Sequence, residues 1–404
     1  MKKLKYIGFF IKNSWFVFRY RFFHKKKSVT RFMGQKNITL AYSNEILKQM
    51  ILSNEPFSAV RFGAVELSCV NNHEKIQLGF KKKYKVPVIY SIKNGAGVFP
   101  TTKESLDQYS MTAIQAFSDA TILGISGVHM EDYFYKKYAS KCRVIQYEAF
   151  EPLRGDWIQA LKGKKVLVIS PFANDIQKQY DRIDLVFEDG KIPQFDLQVF
   201  QCVQTMAEEK DSRFTSWNEA LSWMEEEISK LDFDIALVGA GAYGSPLCSF
   251  IAKTLHRQAI QTGGATQTMF GIIGKRWEKR EHVAKYINEY WIRPTLKPKG
   301  YENVEKGFSL GDEYKMFEKY NTPFVIWANY DIEEQTDVKI SANYMGTMVD
   351  ELAGNSMSGY QQMVNEIRKD IPIITAGGYI GADGKYYHTF DKSSPYYDKI
   401  MDYC

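Results

Sequence analysis

The sequence predicts an α/β fold in which a parallel sheet is flanked by helices. Short apolar runs typical of strands buried on both faces alternate with stretches that have the apolar spacing of helices. The clearest run is Lys165–Ser170, and a second, Ile235–Val238, leads directly into a glycine turn and an amphipathic helix. Alternation of this kind needs crossover connections between strands, and it therefore favours a parallel sheet.

Length and composition are those of a globular chain with more than one folded unit. The 404 residues are 45% hydrophobic and 25% charged, which provides for an ample core. The five cysteines are scattered without CxxC or Cys/His ligand spacing, so we expect a reducing compartment and no metal site built from cysteines. No stretch reaches the roughly 18 uninterrupted apolar residues of a membrane-spanning helix. Ser-His-Asp order, HExxH and P-loop motifs are missing, which excludes the commonest hydrolases and kinases.

Residues 1–36 carry most of the net charge of +6, because they interleave aromatic residues with Lys and Arg and contain no acidic residue. This composition is typical of a helix that lies in the headgroup layer of an anionic membrane. We expect the segment to hold the protein at the inner face of the cell membrane, as a peripheral cytoplasmic protein. Packing against the body or a partner is the alternative. RNA binding is a weaker one, and no nucleic-acid partner is expected.

One α/β domain is expected over residues 37–292. Its helices are predicted over 42–53, from 64 onward, and over 102–119, 131–139, 172–180, 197–208 and 216–230. Its strands are predicted over 57–63, 121–126, 142–146, 165–170, 235–238 and 258–261. Ser43 is the predicted N-cap of the first helix, because a serine side chain accepts the free N–H groups of a first turn. The glycine-rich stretches 94–100 and 262–277 are predicted loops.

The composition changes after this domain. Prolines and a glycine mark a linker over 293–307, and residues 308–404 are long enough for a small α+β appendage. Within it we predict a strand over 323–328, helices over 341–353 and 358–368, and a hairpin-like stretch around 371–375 and 384–387.

A glycine turn after the strand Ile235–Val238 is the main candidate for a ligand site. Gly239, Gly241, Tyr243 and Gly244 belong to a GxGxxG pattern that opens the next helix. Glycines allow a sharp turn and close approach of a ligand, and the free N–H groups of the helix favour an anion. A nucleotide or nucleotide-sugar is the first candidate.

Two alternatives remain for this turn. A dinucleotide site also needs an acidic residue at the end of the next strand, and residues 260–262 read Ile-Gln-Thr. An NAD-dependent oxidoreductase is therefore the runner-up. A tight turn that packs a helix on a strand without any ligand is the other alternative.

Further candidates follow two other predicted strands. Arg61 ends one strand and Glu66 lies one turn into the next helix, which places both at the carboxyl edge of the sheet, where open α/β folds bind ligands. A plain ion pair between them is an equal alternative. In the later loop, Lys275 and Arg276 can neutralise a diphosphate leaving group. A solvated basic segment is the alternative there.

Three motifs together resemble the GT-D-fold glycosyltransferases of bacterial polysaccharide and glycoprotein assembly, over about residues 40–280. They are Val60-Arg-Phe-Gly-Ala-Val-Glu66, Asp234-Ile-Ala-Leu-Val-Gly-Ala-Gly-Ala-Tyr-Gly244 and Gly263-Gly-Ala-Thr-Gln-Thr-Met-Phe-Gly-Ile-Ile-Gly-Lys-Arg-Trp277. The resemblance implies a Rossmann-like sheet of the GT-D type. In that family an Arg-Phe-Gly strand end is followed by an acidic D-x-E element implicated in sugar-nucleotide use. Glu66 matches its glutamate, but Ala64 stands where the aspartate would be, which argues against the usual acidic pair for a divalent metal.

A second resemblance covers residues 308–401. The stretches 320–332, 340–344 and 384–387 are similar to the C-terminal end of lipoteichoic-acid-synthase-like phosphoglycerol transferases of the sulfatase superfamily. Those enzymes need a nucleophilic threonine and a cluster of metal-binding Asp, Glu and His, nearly all upstream of this part. We therefore expect a non-catalytic remnant over 308–404.

These observations predict a transferase that moves a sugar from a nucleotide-sugar to a lipid-linked or polysaccharide acceptor in bacterial cell-surface glycan synthesis, such as capsule formation. The expected catalytic residues are Glu66, as general base or acceptor-orienting group, and Arg61, which compensates the charge of the diphosphate together with Lys275 and Arg276. The expected donor-binding residues are Gly63, Gly239, Gly241, Tyr243, Gly244, Gly263, Gly264, Gln267, Lys275 and Arg276. A non-catalytic scaffold, favoured by Ala64, is the alternative outside enzymes.

Overall fold

The computed structural model describes residues 2–23, 29–206, 209–278 and 280–299, and short strands between residues 325 and 387. Residue contacts divide the chain into two units. One holds a large parallel sheet and the other holds the short C-terminal strands, and each is described by itself.

The strands of the first unit confirm the predicted parallel α/β sheet. They are β1 (Arg31–Phe32), β2 (Gln35–Lys36), β3 (Phe57–Arg61), β4 (Ile122–Ile125), β5 (Arg143–Gln146), β6 (Lys165–Ser170), β7 (Asp196–Gln201), β8 (Ile235–Val238) and β9 (Gln258–Ile260). Strands β1 and β2 form a short antiparallel hairpin. Strands β3 to β9 form a seven-stranded sheet in the order β5-β4-β3-β9-β8-β6-β7, with every neighbouring pair parallel.

The helices of the described chain before residue 300 precede, connect or follow these strands. They are α1 (Lys2–Phe23), α2 (Leu40–Leu52), α3 (Ala64–Gln77), α4 (Val86–Ala96), α5 (Lys103–Asp119), α6 (Glu131–Tyr138), α7 (Ala173–Tyr180), α8 (Ile183–Val186), α9 (Trp217–Ser229), α10 (Gly244–Lys253), α11 (Lys275–Glu278) and α12 (Glu281–Ala284). Short 3-10 helices follow β5 (Tyr147–Phe150) and β9 (Gly263–Phe270), and another (Gly241–Tyr243) precedes α10. Among the described helices, none is both long and apolar enough to cross a bilayer.

Side chains alternate between the two faces of the sheet, as the period of two in a strand requires. One face packs against α2, α7 and the 3-10 helix Trp157–Leu161, and its strand residues include Phe57, Ala59, Val166, Val168, Ile235 and Leu237. The other face packs against α10, which contacts β3, β8 and β9. Burial of both faces explains why the strands read as continuous apolar runs.

Strand β9 holds the two halves of the sheet together. It is the last strand of the sheet in sequence, yet it lies between β3 and β8: Ala259 pairs with Ser58 on one side and with Ala236 on the other. The carboxyl ends of β3, β9 and β8 therefore lie side by side at one edge of the sheet.

Four local predictions in this unit are wrong. Helix α2 begins at Leu40, and the side chain of Thr39, which precedes Ser43, accepts the N–H of Tyr42. Ser43 is buried inside α2, where its hydroxyl donates to the Thr39 carbonyl oxygen and accepts the N–H of Gln146. The residues at the start of the predicted helix 197–208 form the edge strand β7, because full ladder pairing with β6 outweighs their helical spacing. The predicted loop 94–100 begins inside α4, and the predicted loop 262–277 contains the 3-10 helix Gly263–Phe270 and the start of α11.

The second unit carries small sheets. Its strands are β10 (Val325–Ile326), β11 (Asn329–Glu333), β12 (Asp337–Ala342), β13 (Thr347–Met348), β14 (Ile373–Ile374), β15 (Tyr379–Ile380) and β16 (Tyr386–Tyr387). The order β10-β14-β15-β16 includes the strand and the hairpin-like stretch predicted there. The predicted helix over 341–353 is wrong where it overlaps β12 and β13, which pair antiparallel. The predicted helix 358–368 lies outside the described residues.

Candidate functional site

The candidate site is a crevice at the carboxyl edge of the sheet, between β3 and β9. The chain leaves β3 into α3, which packs with α5 on the α10 side of the sheet. It leaves β9 into the 3-10 helix Gly263–Phe270, whose Ala265, Met269 and Phe270 join the core of the opposite face. Neighbouring strands whose connections diverge to opposite faces leave a crevice between them, and open α/β folds bind ligands in such crevices.

Arg61 reaches across this crevice. Its guanidinium lies over the ring of Tyr147, with Cζ 4.3 Å from the ring centroid, and its backbone N–H donates to Oε1 of Gln261 at 3.0 Å. A side chain at Gly263, whose φ is +58°, would collide with Nη2 of Arg61. Among the described residues, no carboxylate lies within ion-pair distance of this guanidinium, so its charge is available to an anionic ligand.

Glu66 lies on the same side of the crevice, in the first turn of α3. The N-cap of this helix is Gly63, and the Glu66 carboxylate folds back over it, so that a side chain at Gly63 would collide with Oε2. Burial raises the pKa of the Glu66 carboxyl, while a hydrogen bond from its own backbone N–H and the charge of Arg61 lower it less. A carboxyl with a raised pKa that lies near a cation can, once ionised, accept a proton from a ligand.

The glycine turn after β8 approaches this crevice from its other side. A Cβ at Gly239 would lie 2.5 Å from Oγ1 of Thr266 and 2.8 Å from the carbonyl oxygen of Gly263, and Gly241 is exposed with φ +53°. Gly244 is buried against the side chain of Gln261. Close packing within the protein therefore explains why residues 239 and 244 are glycines. Gly241 remains exposed at the rim of the crevice.

Tyr243 was expected to contact a ligand, but its side chain lies in the protein interior. Its side chain is 2% exposed, and its ring stacks on Trp217 with centroids 4.8 Å apart and an interplanar angle of 7°. The ring thus packs in the interior, although the residue follows an exposed glycine in sequence.

The later loop supplies a second cation near the rim. Gly264 is exposed, and Nη1 of Arg276 would lie 3.8 Å from a Cβ built there. Arg276 is exposed and lies over the ring of Trp277. Gln267 donates to the carbonyl oxygen of Ile272 and lies beside Gly274. Lys275 begins α11, and its side chain lies outside the described residues.

One residue of the crevice, Tyr147, was not among those predicted from the sequence. Tyr147 and Glu148 directly follow β5, and their 3-10 helix crosses the end of β4, where Phe150 occupies the space beside Gly124. Oε2 of Glu148 is buried without a hydrogen-bond partner. A sequence signal for these residues was available, because they come immediately after a buried strand and such a position lies at the carboxyl edge of the sheet. Among the described residues, no group of three or more His, Cys, Asp or Glu side chains is placed to hold a metal ion.

Comparison with known proteins agrees with this fold. A family model for a GT-D fold-like domain matches residues 42–269, which is more than half of the chain and includes Arg61, Glu66 and both glycine turns. No curated protein and no solved structure matches the chain. The match supports glycosyl transfer in general and agrees with the helix-flanked parallel sheet. The chain belongs to the GT-D-like family.

Proposed function

We propose that the protein transfers a sugar from a nucleotide-sugar to a lipid-linked or polysaccharide acceptor. The observation that carries this proposal is the placement of Arg61 and Glu66 on one crevice. The guanidinium has no carboxylate partner in the described chain, and the carboxyl has a raised pKa. A nucleoside diphosphate needs compensating cations, and an acceptor hydroxyl needs a base.

In the proposed reaction the diphosphate of the donor lies at the rim formed by Gly241 and Gly264, with Arg61 and Arg276 facing its charge. The acceptor oxygen forms a bond to the anomeric carbon of the sugar. The bond between that carbon and the phosphate oxygen breaks, and the nucleoside diphosphate leaves with the bonding electrons. Glu66 takes the proton of the acceptor hydroxyl.

The cellular setting is part of the same proposal. The enzyme acts at the cytoplasmic face of the cell membrane in cell-surface glycan synthesis, such as capsule formation, because residues 1–36 have the composition of an interfacial helix. Residues 308–404 are a non-catalytic remnant of a phosphoglycerol-transferase-like domain that docks an acceptor or a partner.

A second candidate is a non-catalytic scaffold, which one observation favours. Ala64 is the first residue of α3 and is exposed at the crevice, so the position of the family's aspartate carries no acidic group. A scaffold would lack turnover with every donor.

The test is a thermal-shift panel of UDP-, GDP-, CMP- and dTDP-linked sugars, with and without a divalent metal, followed by turnover assays with the donor that binds. Glu66→Gln should bind the donor as the wild type does and lose turnover. Glu219→Gln is the matched control, because Glu219 also lies in a first helical turn, after the N-cap Ser216 of α9. Unchanged turnover in Glu66→Gln removes this residue from the mechanism. Absence of binding across the panel, with NAD binding instead, favours an oxidoreductase.

A further inference from the structure

Helix α1 has two faces of opposite character. Tyr6 and Asn13, which are 3% and 2% exposed, lie one heptad apart on the side that packs against the body. Leu4, Ile7 and Ile11 lie on the opposite side and are exposed, with Leu4 at 74% and Ile11 at 62%. We call these three residues the outer stripe.

Polar contacts fix the orientation of α1 on the body. The hydroxyl of Tyr6 donates to Oδ1 of Asn71 in α3 at 2.8 Å. Nδ2 of Asn13 donates to Oδ1 of Asp132 in α6 at 2.7 Å, and its Oδ1 accepts the N–H of Met130 at 3.2 Å. Lys12 adds an ion pair to Asp132 at 2.9 Å. Because these partners are buried, rotating the helix about its axis would leave polar groups unsatisfied.

Lysines from the body lie along both sides of the docked helix. Nζ of Lys136 lies 5.9 Å from the ring of Phe9, and Nζ of Lys75 lies 5.4 Å from the ring of Phe10. Phe9 and Phe10 border the packed face on its two sides, since successive helical residues are about 100° apart. On the helix itself, the exposed Lys3 and Lys5 lie between the outer stripe and the packed face, one on each side. The outer stripe is thus an apolar line with cations on either side, in a segment that has no acidic residue before residue 37.

We propose that the outer stripe of α1 docks on the surface of an anionic lipid bilayer. An apolar line that enters the acyl boundary and lysines that face anionic headgroups are the two features an interfacial helix needs. The bilayer fits better than a second protein, because the charged side chains that the helix exposes beside the stripe are lysines and none is acidic. Trp15, which is 55% exposed, continues the same side of the helix.

Docking of the outer stripe would also determine where the candidate active site lies relative to the bilayer. Asn71, which binds α1, lies five residues after Glu66 in α3, a rise of about 7.5 Å along the helix axis. The bilayer would then lie on the α3 side of the sheet, where a lipid-linked acceptor can approach. This step rests on the proposed function, whereas binding to lipid does not.

The experiment is co-sedimentation of the full chain, without sugar nucleotide, with vesicles of phosphatidylcholine alone or of equal parts phosphatidylcholine and phosphatidylglycerol. The wild type should bind the anionic vesicles. Ile11→Glu should lower the partition coefficient by about tenfold or more, since it removes an apolar side chain and adds a repelled charge. Leu52→Glu is the matched control, because Leu52 on α2 is 56% exposed and lies outside the stripe. It should bind as the wild type does.

Three results would overturn the inference. They are failure of the wild type to bind anionic vesicles, equal binding by Ile11→Glu, and an oligomer that Ile11→Glu dissociates while vesicle binding is absent. The last result would identify a second copy of the chain as the occupant. Donor binding and turnover in detergent-free solution are measured separately, so a failure of lipid docking is distinguishable from a failure of the proposed transferase activity.

Discussion

The guanidinium of Arg61 lies over the ring of Tyr147, with Cζ 4.3 Å from the ring centroid. Arg61 ends β3 and Tyr147 follows β5, and these strands are separated in the sheet by β4. A ring under a guanidinium attracts the cation without neutralising it. Tyr147 therefore acts on the reaction through Arg61, as a positioning residue.

Removing this ring should weaken donor binding. In Tyr147→Leu we expect the dissociation constant of the donor to rise about two- to fivefold, the range that corresponds to an exposed cation–π contact. Tyr147→Phe keeps the ring and should bind normally. Phe214→Leu is the control, because Arg213 lies over Phe214 outside the crevice. Titration calorimetry measures the three constants, and equal affinities in Tyr147→Leu and wild type would contradict the positioning role.

As the pH is lowered, the activity should fall at a higher pH than it would if the general base were a glutamate of ordinary pKa. Burial raises the pKa of Glu66 above its usual 4.5, and a general base works only when deprotonated. The acid limb of log kcat/KM should therefore lie above pH 4.5, and Glu66→Gln should lack it.

The raised pKa of Glu66 also makes the free energy of unfolding depend on pH, in a direction that can be stated. Since the folded pKa is above the unfolded one, protonation of Glu66 favours the folded state below pH 4.5, and this contribution is lost as the pH rises through the folded pKa. Relative to Glu66→Gln, the wild type should lose unfolding free energy between these pH values. Denaturant unfolding at several pH values measures the difference, and a difference that does not change with pH would contradict the shift.

Two glycine substitutions separate backbone strain from the Arg61 contact. Gly263→Ala places a side chain against Arg61 in a left-handed backbone conformation, and it should both destabilise the protein and weaken donor binding. Gly163 has a φ of +74° with nothing within 4 Å of an added Cβ. Gly163→Ala should cost about 1–2 kcal/mol of unfolding free energy from the backbone alone and leave donor binding unchanged. Equal donor affinities in the two variants would remove Gly263 from the site.

Anchoring of α1 can be tested at Asn13. Asn13→Ala leaves Asp132 and the Met130 N–H without this partner, and we expect a loss of about 1–3 kcal/mol in the docking of α1. Hydrogen exchange of the α1 amides measures that loss. Asn218→Ala, which removes a surface hydrogen bond to Gln108, should change stability by no more than about 0.5 kcal/mol. Unchanged exchange in Asn13→Ala would contradict the docking geometry.

The sheet could be predicted from sequence because each central strand is buried on both faces and reads as a short apolar run. The edge strand β7 could not, because its side chains are half-exposed and its single neighbour, β6, is not visible in its own sequence. Ser43 and Thr39 both carry a hydroxyl suited to an N-cap. Tertiary contact decides between them, since Ser43 is used to bind the N–H of Gln146.

In the candidate site, too, some features could be predicted from the sequence and others depend on the tertiary structure. Arg61 and Glu66 could be paired from sequence, because a strand end and the first turn of the following helix are always close. Tyr147 could not be paired with Arg61 without the strand order. Tyr243 was expected at the ligand because it lies within a glycine turn, but the direction of its ring depends on Trp217, which the turn sequence does not reveal.

The central place of β9 has a consequence for synthesis on the ribosome. Strand β9 pairs Gln258 with both Phe57 and Ile235, so about 200 residues must emerge after β3 before its second neighbour in the sheet exists. Until then β3 and β8 each present an open edge inside what becomes the middle of the domain, and open edges invite pairing with other chains. A nascent chain halted before residue 258 should therefore depend on chaperones, whereas one released after residue 270 should close its own sheet.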